Sequence, residues 1–436
     1  MQKVTHEFKL SEGLNPLELV EKYDAPLYVY DANIIERQFD KLSNAFKVPK
    51  LILNYACKAL TNVSILKFLK ELGAGLDCVS VQEVKMGLRA GFDPHQIVYT
   101  PSGVAFSEID EAIELGVRIN VDNLPLLEYI GKKTTKIPVC IRINPHIKAG
   151  GNDKISVGSV TSKFGISYQQ VPYIKQLVDA YDIKVEGLHM HTGSDIKDVD
   201  VFLEGAEILL NLAMGFPDLD FIDLGSGFKV AYQAADKVTD IDELGVKMSA
   251  RFNRFLQAYG RDLTLIFEPG KFLVSESGYF LVRVNVVKQT TAKLFIGVDS
   301  GLNHLIRPMF YDAHHHIVNV SNPKGAEKLY DVVGYICETD TFAENRLIQE
   351  TKAGDLLAFF NAGAYCFSMA SNYNSRFRPA EVMVYNGVDY LIRKRETFED
   401  LMVNQIEVDV VKQEERLTLP QLATLELDKE NIGNVD

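Results

Sequence analysis

The 436-residue chain carries 59 acidic against 46 basic side chains, a net charge of -13, and 47% of its residues are hydrophobic. That balance describes a soluble globular protein and argues against a nucleic-acid or acidic-membrane partner, which would need a surplus of Lys and Arg. The length exceeds one ordinary domain and suits a barrel of about 250 residues plus a second domain.

Met1 to Leu10 lacks the apolar core of a signal or transit peptide and no long apolar window follows, so no membrane association and a cytoplasmic location are expected. The five cysteines (Cys57, Cys78, Cys140, Cys337, Cys366) are widely spaced and form no C-x-x-C pair. Neither a disulfide framework nor a zinc centre is expected from them, and an odd number leaves a free thiol for chemistry.

In chain order, Pro26-Leu27-Tyr28-Val29-Tyr30 is β-prone and a helical pattern from Asn33 to Phe46 follows it. One phrase then repeats: a short apolar strand, a polar or glycine turn, and an amphipathic helix. Strands are predicted at 51–57, 75–80, 97–100, 117–122, 138–144, 185–191, 221–225 and 264–268, with helices between them such as 81–90, 107–115, 168–180 and 199–214. These alternations predict an α/β fold, a closed parallel (β/α)8 barrel over 33–278. Beyond Gly278 the rhythm changes to short β-prone runs at 279–289, 294–298, 317–320, 356–360, 382–384 and 401–403. They predict a mostly antiparallel β domain over 279–436, with residues 1–32 packing on it and Leu27 to Tyr30 pairing with its sheet. The tail after Lys412 has an apolar patch at 417–427 and a polar end at 428–436 that is expected to be disordered.

The polar residues gather at strand ends. Lys58, Asp77, Ser80, Asn144, His191, Gly225, Gly227 and Glu268 all fall at or just after predicted strands, where barrels build their active sites. Lys58 ends the run Leu51 to Cys57; desolvated there, its amine would be a nucleophile fit for a Schiff base, the alternative being a lysine whose stem merely covers the strand end. Asp223-Leu224-Gly225-Ser226-Gly227-Phe228 is a turn whose amides could approach an anion, and its place after the seventh strand favours a phosphate. Glu268 follows Leu265-Ile266-Phe267, so its buried charge needs a partner: a cationic pyridinium nitrogen, or a barrel arginine such as Arg142. His189 and His191 share a strand face and could pair on a metal, but no carboxylate or third ligand accompanies them at ligand spacing, so no metal site is expected. A ring stacking on a flat cofactor fits one of them and a hydrogen-bonded core role fits the other, His189. His314-His315-His316 reads as a solvated loop, and Cys337 on its chemistry alone as a buried thiol.

Together these residues resemble the fold-type III pyridoxal-phosphate decarboxylases, most closely the diaminopimelate decarboxylases, from about Ala25 to about Val384. The carrying motifs are Tyr55-Ala56-Cys57-Lys58-Ala59, His191-Thr192-Gly193-Ser194, Gly225-Ser226-Gly227 and Glu268-Pro269-Gly270-Lys271. The resemblance implies pyridoxal 5'-phosphate as cofactor, with Lys58 carrying it covalently, Asp77 and Gly270 beside it, and His191 on its ring. It further implies Ser194, Gly225, Ser226 and Gly227 at the phosphate, and Glu268 at the pyridinium nitrogen. Asn303-His304-Leu305-Ile306-Arg307-Pro308 with Tyr311 resembles the family's carboxylate-binding segment, and Gly363-Ala364-Tyr365 its cofactor-contacting tyrosine. Cys337-Glu338 is similar to a pair contributed across a homodimer interface, the cysteine as proton donor and the glutamate reading the distal amine. The implied reaction is decarboxylation of meso-2,6-diaminopimelate to L-lysine.

The chain departs from the pattern at three places. The family arginine after E-P-G is Lys271, implied by the resemblance to contact cofactor and substrate, which keeps the charge but loses the bidentate fork. Leu60 and Cys366 replace a common asparagine and a common glycine. Decarboxylases of ornithine, arginine or carboxynorspermidine would share the cofactor residues, but Arg307 with Tyr311 argues for a second carboxylate. A non-catalytic homologue would be expected to lack Lys58 or Cys337, and both are present.

Overall fold

The computed structural model describes residues 13–134, 136–147 and 158–410, together with Phe8 and Leu10. The tail beyond Lys412 lies outside the described residues. Strand β1 (Leu27–Asp31) precedes the repeating region, in which β2 (Leu51–Ala56), β3 (Gly75–Cys78), β4 (Ile97–Tyr99), β5 (Arg118–Val121) and β6 (Val139–Asn144) alternate with helices. A short β7 (Ile166–Ser167) flanks β6, and β8 (Val185–His189), β9 (Phe221–Asp223) and β10 (Thr264–Phe267) continue the series. Every barrel pairing is parallel, and β10 returns to β2 while β5 pairs with β6 and β6 with β8. Among the described residues the eight strands β2–β6 and β8–β10 therefore close into a ring. Beyond their first one or two residues their side chains are mostly buried on both faces, which is why they read as apolar runs.

The helices dock by amphipathic spacing. In Val199–Ala213 the buried residues Phe202, Leu203, Ala206, Leu209 and Leu210 recur at helical period, and the Asp198 side chain caps the start by accepting from Asp200 N–H. Phe202 and Phe228 pack against Phe267 of β10. Each fully buried phenylalanine of this kind contributes roughly 1.5–3 kcal/mol.

The second sheet comprises β11 (Gly278–Gln289), β12 (Leu294–Val298), β13 (Ile317–Asn319), β14 (Glu327–Val333), β15 (Thr341–Gln349), β16 (Leu356–Phe359), β17 (Ala380–Tyr385) and β18 (Val388–Arg393), joined by β1. Strand β1 lies between β11, antiparallel, and β17, parallel. The remaining pairs are antiparallel except β12 with β14. Strands β14, β15 and β18 are additions to the sequence reading, and the run predicted as β at 401–403 instead closes helix Phe398–Met402, with Val403 as its C-cap. There Thr397 and Asp400 form a capping box, and that local chemistry overrides the β-prone composition.

Both sheets belong to one compact unit, Met1–Arg395, and Glu396–Asp436 forms a second. Within the first, β11 starts so close to the turn at 362–363 that a Cβ on Gly278 would lie 2.0 Å from Gly363 N. Ala362 N–H donates to Gly278 O at 2.8 Å and Tyr365 N–H to Ala59 O at 2.8 Å. These contacts lay the β-domain segment carrying Tyr365 against the loop that follows Lys58.

Candidate active site

Lys58 sits in a single 3-10 turn immediately after β2, and Asp77 on the neighbouring β3; Lys58 Nζ lies 3.2 Å from Asp77 Oδ2. Burial works against the lysine's charge, but Asp77, Tyr365 and Glu268 outweigh it and raise the ammonium's pKa. Asp77 is itself pushed up, first by burial and then by Glu268, while Lys58 pulls it back. Its second oxygen, Oδ1, has no hydrogen-bond partner.

Across the barrel, His189 at the end of β8 reaches Glu268, just after β10, at 3.0 Å between Nε2 and Oε2. Burial would raise the Glu268 pKa, but His189, Lys58 and His191 reverse the sign and hold it as a carboxylate. Glu268 Oε1 is buried with no partner. Its companion is thus His189 rather than Arg142, the arginine weighed from sequence. Arg142 lies instead over the Phe164 ring at 4.7 Å in the same cavity. Asp223 is pushed well up by burial and by Glu268. Sequence spacing offered His189 no neighbouring carboxylate, yet folding brings Asp223 and Glu268 to it, one ligand atom of each within 4.8 Å of the others.

His191 is half-buried, and Ser226 N–H donates to its Nδ1 at 3.3 Å. Burial, then Arg142 and Lys58, push its pKa down to about 3, so the ring is neutral. Beside it, Gly225 has φ +61 and Gly227 φ +110. A Cβ on Gly227 would stand 1.9 Å from Gly193 O, and one on Gly225 2.7 Å from Met190 O, so only glycine allows this turn to lie against the His191 loop. Gly270 is less confined: a Cβ there would meet the Ala56 and Ala59 side chains at 3.1 and 3.2 Å and Tyr365 Oη at 3.4 Å.

A cavity of about 730 Å³ unites these groups. Lys58, Asp77, His191, Ser194, Ser226, Gly227, Glu268, Gly270, Lys271, Arg307, Tyr311 and Tyr365 all line it, and Gly225 sits directly behind, its carbonyl accepting from Glu268 N–H at 2.8 Å. Tyr365 holds φ +57, a strained conformation for a tyrosine of the kind found at functional sites. Arg307, the first residue of helix Arg307–Tyr311, is 7% exposed, its Nε has no hydrogen-bond partner, and among the described residues no carboxylate pairs with it. Its guanidinium faces the rings of Tyr232 and Tyr311 at 5.5 and 5.7 Å.

Cys337 and Glu338 do not line this cavity. Both are exposed: Asn374 Nδ2 donates to Cys337 Sγ at 3.2 Å, and the Tyr373 hydroxyl bonds Glu338. The buried cysteine expected from chemistry alone is therefore corrected, because the 335–339 turn leaves the sheet at its surface. The solvated histidine loop is also corrected at its centre, where His315 is 1% exposed and Nδ1 donates to Phe360 O at 2.8 Å.

Asp195, Tyr232, His314 and Arg142 also line the cavity without having been singled out as site residues. A carboxylate immediately after His191-Thr192-Gly193-Ser194 was the available signal for Asp195, and an arginine inside the apolar strand Val139 to Ile143 the signal for Arg142.

The cavity fits pyridoxal phosphate on its own terms. It offers a lysine at a barrel-strand end, an unpartnered buried carboxylate oxygen for a protonated ring nitrogen, a neutral imidazole, and a glycine turn open to a phosphate. Residues 32–275 match the family model described as pyridoxal-dependent decarboxylase, pyridoxal binding domain. The diaminopimelate decarboxylase of Methanothermobacter thermautotrophicus is 38% identical over 405 residues, 90% of this chain and 94% of that protein. That of Campylobacter jejuni is 36% identical, covering 88% and 96%. The crystal structure of diaminopimelate decarboxylase from Helicobacter pylori complexed with L-lysine superposes with a TM-score of 0.82 at 34% identity, over 89% of this chain and 98% of that one. Motif, cavity and relatives agree over the same residues, and the chain belongs to the pyridoxal-dependent decarboxylases, in their diaminopimelate decarboxylase family.

Proposed function

We propose that the chain decarboxylates meso-2,6-diaminopimelate to L-lysine and carbon dioxide, the last step of lysine biosynthesis, using pyridoxal 5'-phosphate. The observation that carries this reading is Arg307: a buried guanidinium with no carboxylate partner among the described residues, in the cavity that holds Lys58. A buried cation is costly unless an anion meets it, and a substrate with a second carboxylate supplies one.

In this reading Lys58 binds the cofactor covalently through Nζ, and Asp77 orients that amine. Ser194 and the Gly225-Ser226-Gly227 turn would hold the phosphate, His191 would pack on the ring, and Gly270 and Tyr365 would line the cofactor's site. Bound there, the cofactor supplies the electron sink for the carbanion left by carbon dioxide. Glu268 stays ionised and accepts from the ring nitrogen, which keeps that nitrogen protonated. Arg307, Lys271, Tyr311 and Tyr365 bind substrate, the two cations taking its distal carboxylate.

The proton delivered to carbon comes from Cys337 of the partner subunit, and Glu338 of the partner subunit pairs with the distal ammonium. Their exposure on the protomer surface supports a homodimer with shared sites. A cytoplasmic setting belongs to the same reading; among the described residues no helix is long and apolar enough to cross a membrane. Incubating the holoenzyme with carboxyl-labelled meso-diaminopimelate should release the label and accumulate L-lysine in equal amount; no release would refute the reading.

A further inference from the structure

The cavity wall carries two neighbouring cations, Lys271 and Arg307, and Arg307 disfavours the Lys271 charge. Lys271 does not stand alone: its Nζ donates to Asp195 Oδ1 at 2.8 Å, with the two side chains 12% and 27% exposed. Asp195 sits on a hydrogen-bonded turn. It occupies φ +61, and the next residue, Ile196, donates its N–H to Gly227 O at 2.9 Å and bridges to Phe228.

An ammonium has three donors and no preferred plane, so unlike a guanidinium it needs a fixed acceptor to aim it. Asp195 takes one donor and leaves two for the cavity. Burial disfavours the Lys271 charge and Asp195 opposes that effect.

We infer that Asp195 is a positioning residue for substrate, holding the Lys271 ammonium toward the incoming carboxylate. The inference rests on the reading of this wall as a carboxylate site. Asn has nearly the same shape as Asp and tolerates positive φ, so Asp195→Asn removes the charge without disturbing the turn.

The test is a double-mutant cycle of Asp195→Asn and Lys271→Met on holoenzyme. It is read as kcat and KM for meso-diaminopimelate and as the calorimetric Kd of pimelate, the same dicarboxylate skeleton without amines. Asp195→Asn should raise KM and the pimelate Kd about 10-fold, with kcat within about 3-fold and the cofactor absorbance retained. In the Lys271→Met background the same change should move neither constant by more than about 2-fold. An Asp195→Asn enzyme with both constants unmoved, or one that loses the same factor in both backgrounds, would overturn the inference. Wild-type protein that binds pimelate in an Asp195-dependent way yet releases no carbon dioxide would uphold it and sink the proposed reaction instead.

Discussion

His189 Nε2 donates to Glu268 Oε2 at 3.0 Å, linking the ends of β8 and β10 across the intervening β9, with both side chains buried. The contact spends one carboxylate oxygen on the protein and leaves Oε1 without a partner. A buried anion so arranged can hold a proton on a ring nitrogen, whereas an amide of the same shape cannot. Glu268→Gln should therefore retain cofactor but lose about 100-fold or more in kcat, the range seen when one electrostatic stabiliser is removed. Near-normal turnover by this variant would remove Glu268 from the mechanism.

His315 makes a prediction about pH and stability. Burial, then Arg307, push its pKa down to about 3, against about 6.5 for an unfolded histidine. Between those values the unfolded chain binds a proton that the folded protein does not, so stability falls as pH drops from about 6.5 toward 3, by up to about 1.4 kcal/mol per pH unit. His315→Phe should remove that part of the slope. Urea unfolding of the two proteins between about pH 4.5 and 6.5 measures it, and parallel pH profiles would contradict the buried neutral imidazole.

The shared-site reading makes a prediction about mixtures. Lys58→Ala and Cys337→Ala proteins should each be nearly inactive, but mixed and exchanged they should recover about a quarter of wild-type activity, since half the dimers are then mixed and each holds one intact site. No recovery after demonstrated subunit exchange would mean that each chain completes its own site.

The parts legible in the sequence were those where burial is uniform. Barrel strands such as Val139–Asn144, buried throughout, and Leu51–Ala56, buried from Leu53 on, announce themselves as mainly apolar runs with a polar residue at or soon after the end. Strands Glu327–Val333 and Thr341–Gln349 escaped notice because their exposed positions break the apolar pattern. Residue by residue, Lys58, Glu268 and Arg307 could be read because charge next to an apolar strand or inside a motif is conspicuous. What could not be read was pairing across the fold. That Glu268 would choose His189 over Arg142, or Lys271 choose Asp195, depends on barrel geometry that joins residues 79 and 76 positions apart. His315 looked solvated for the same reason: a polar triplet carries no record of the Phe360 carbonyl that satisfies it.

The most direct test of the central claim is carbon dioxide release from meso-diaminopimelate, lysine, ornithine and arginine by wild-type protein and by Arg307→Ala. A site built around a buried cation rejects analogues lacking the matching carboxylate, because the cation is then left unpaired. The account predicts a strong preference for diaminopimelate in the wild type and a loss of roughly 2–5 kcal/mol in kcat/KM for it in Arg307→Ala, with the preference largely erased. Turnover of ornithine or arginine as fast as diaminopimelate, or an unchanged preference in Arg307→Ala, would contradict it.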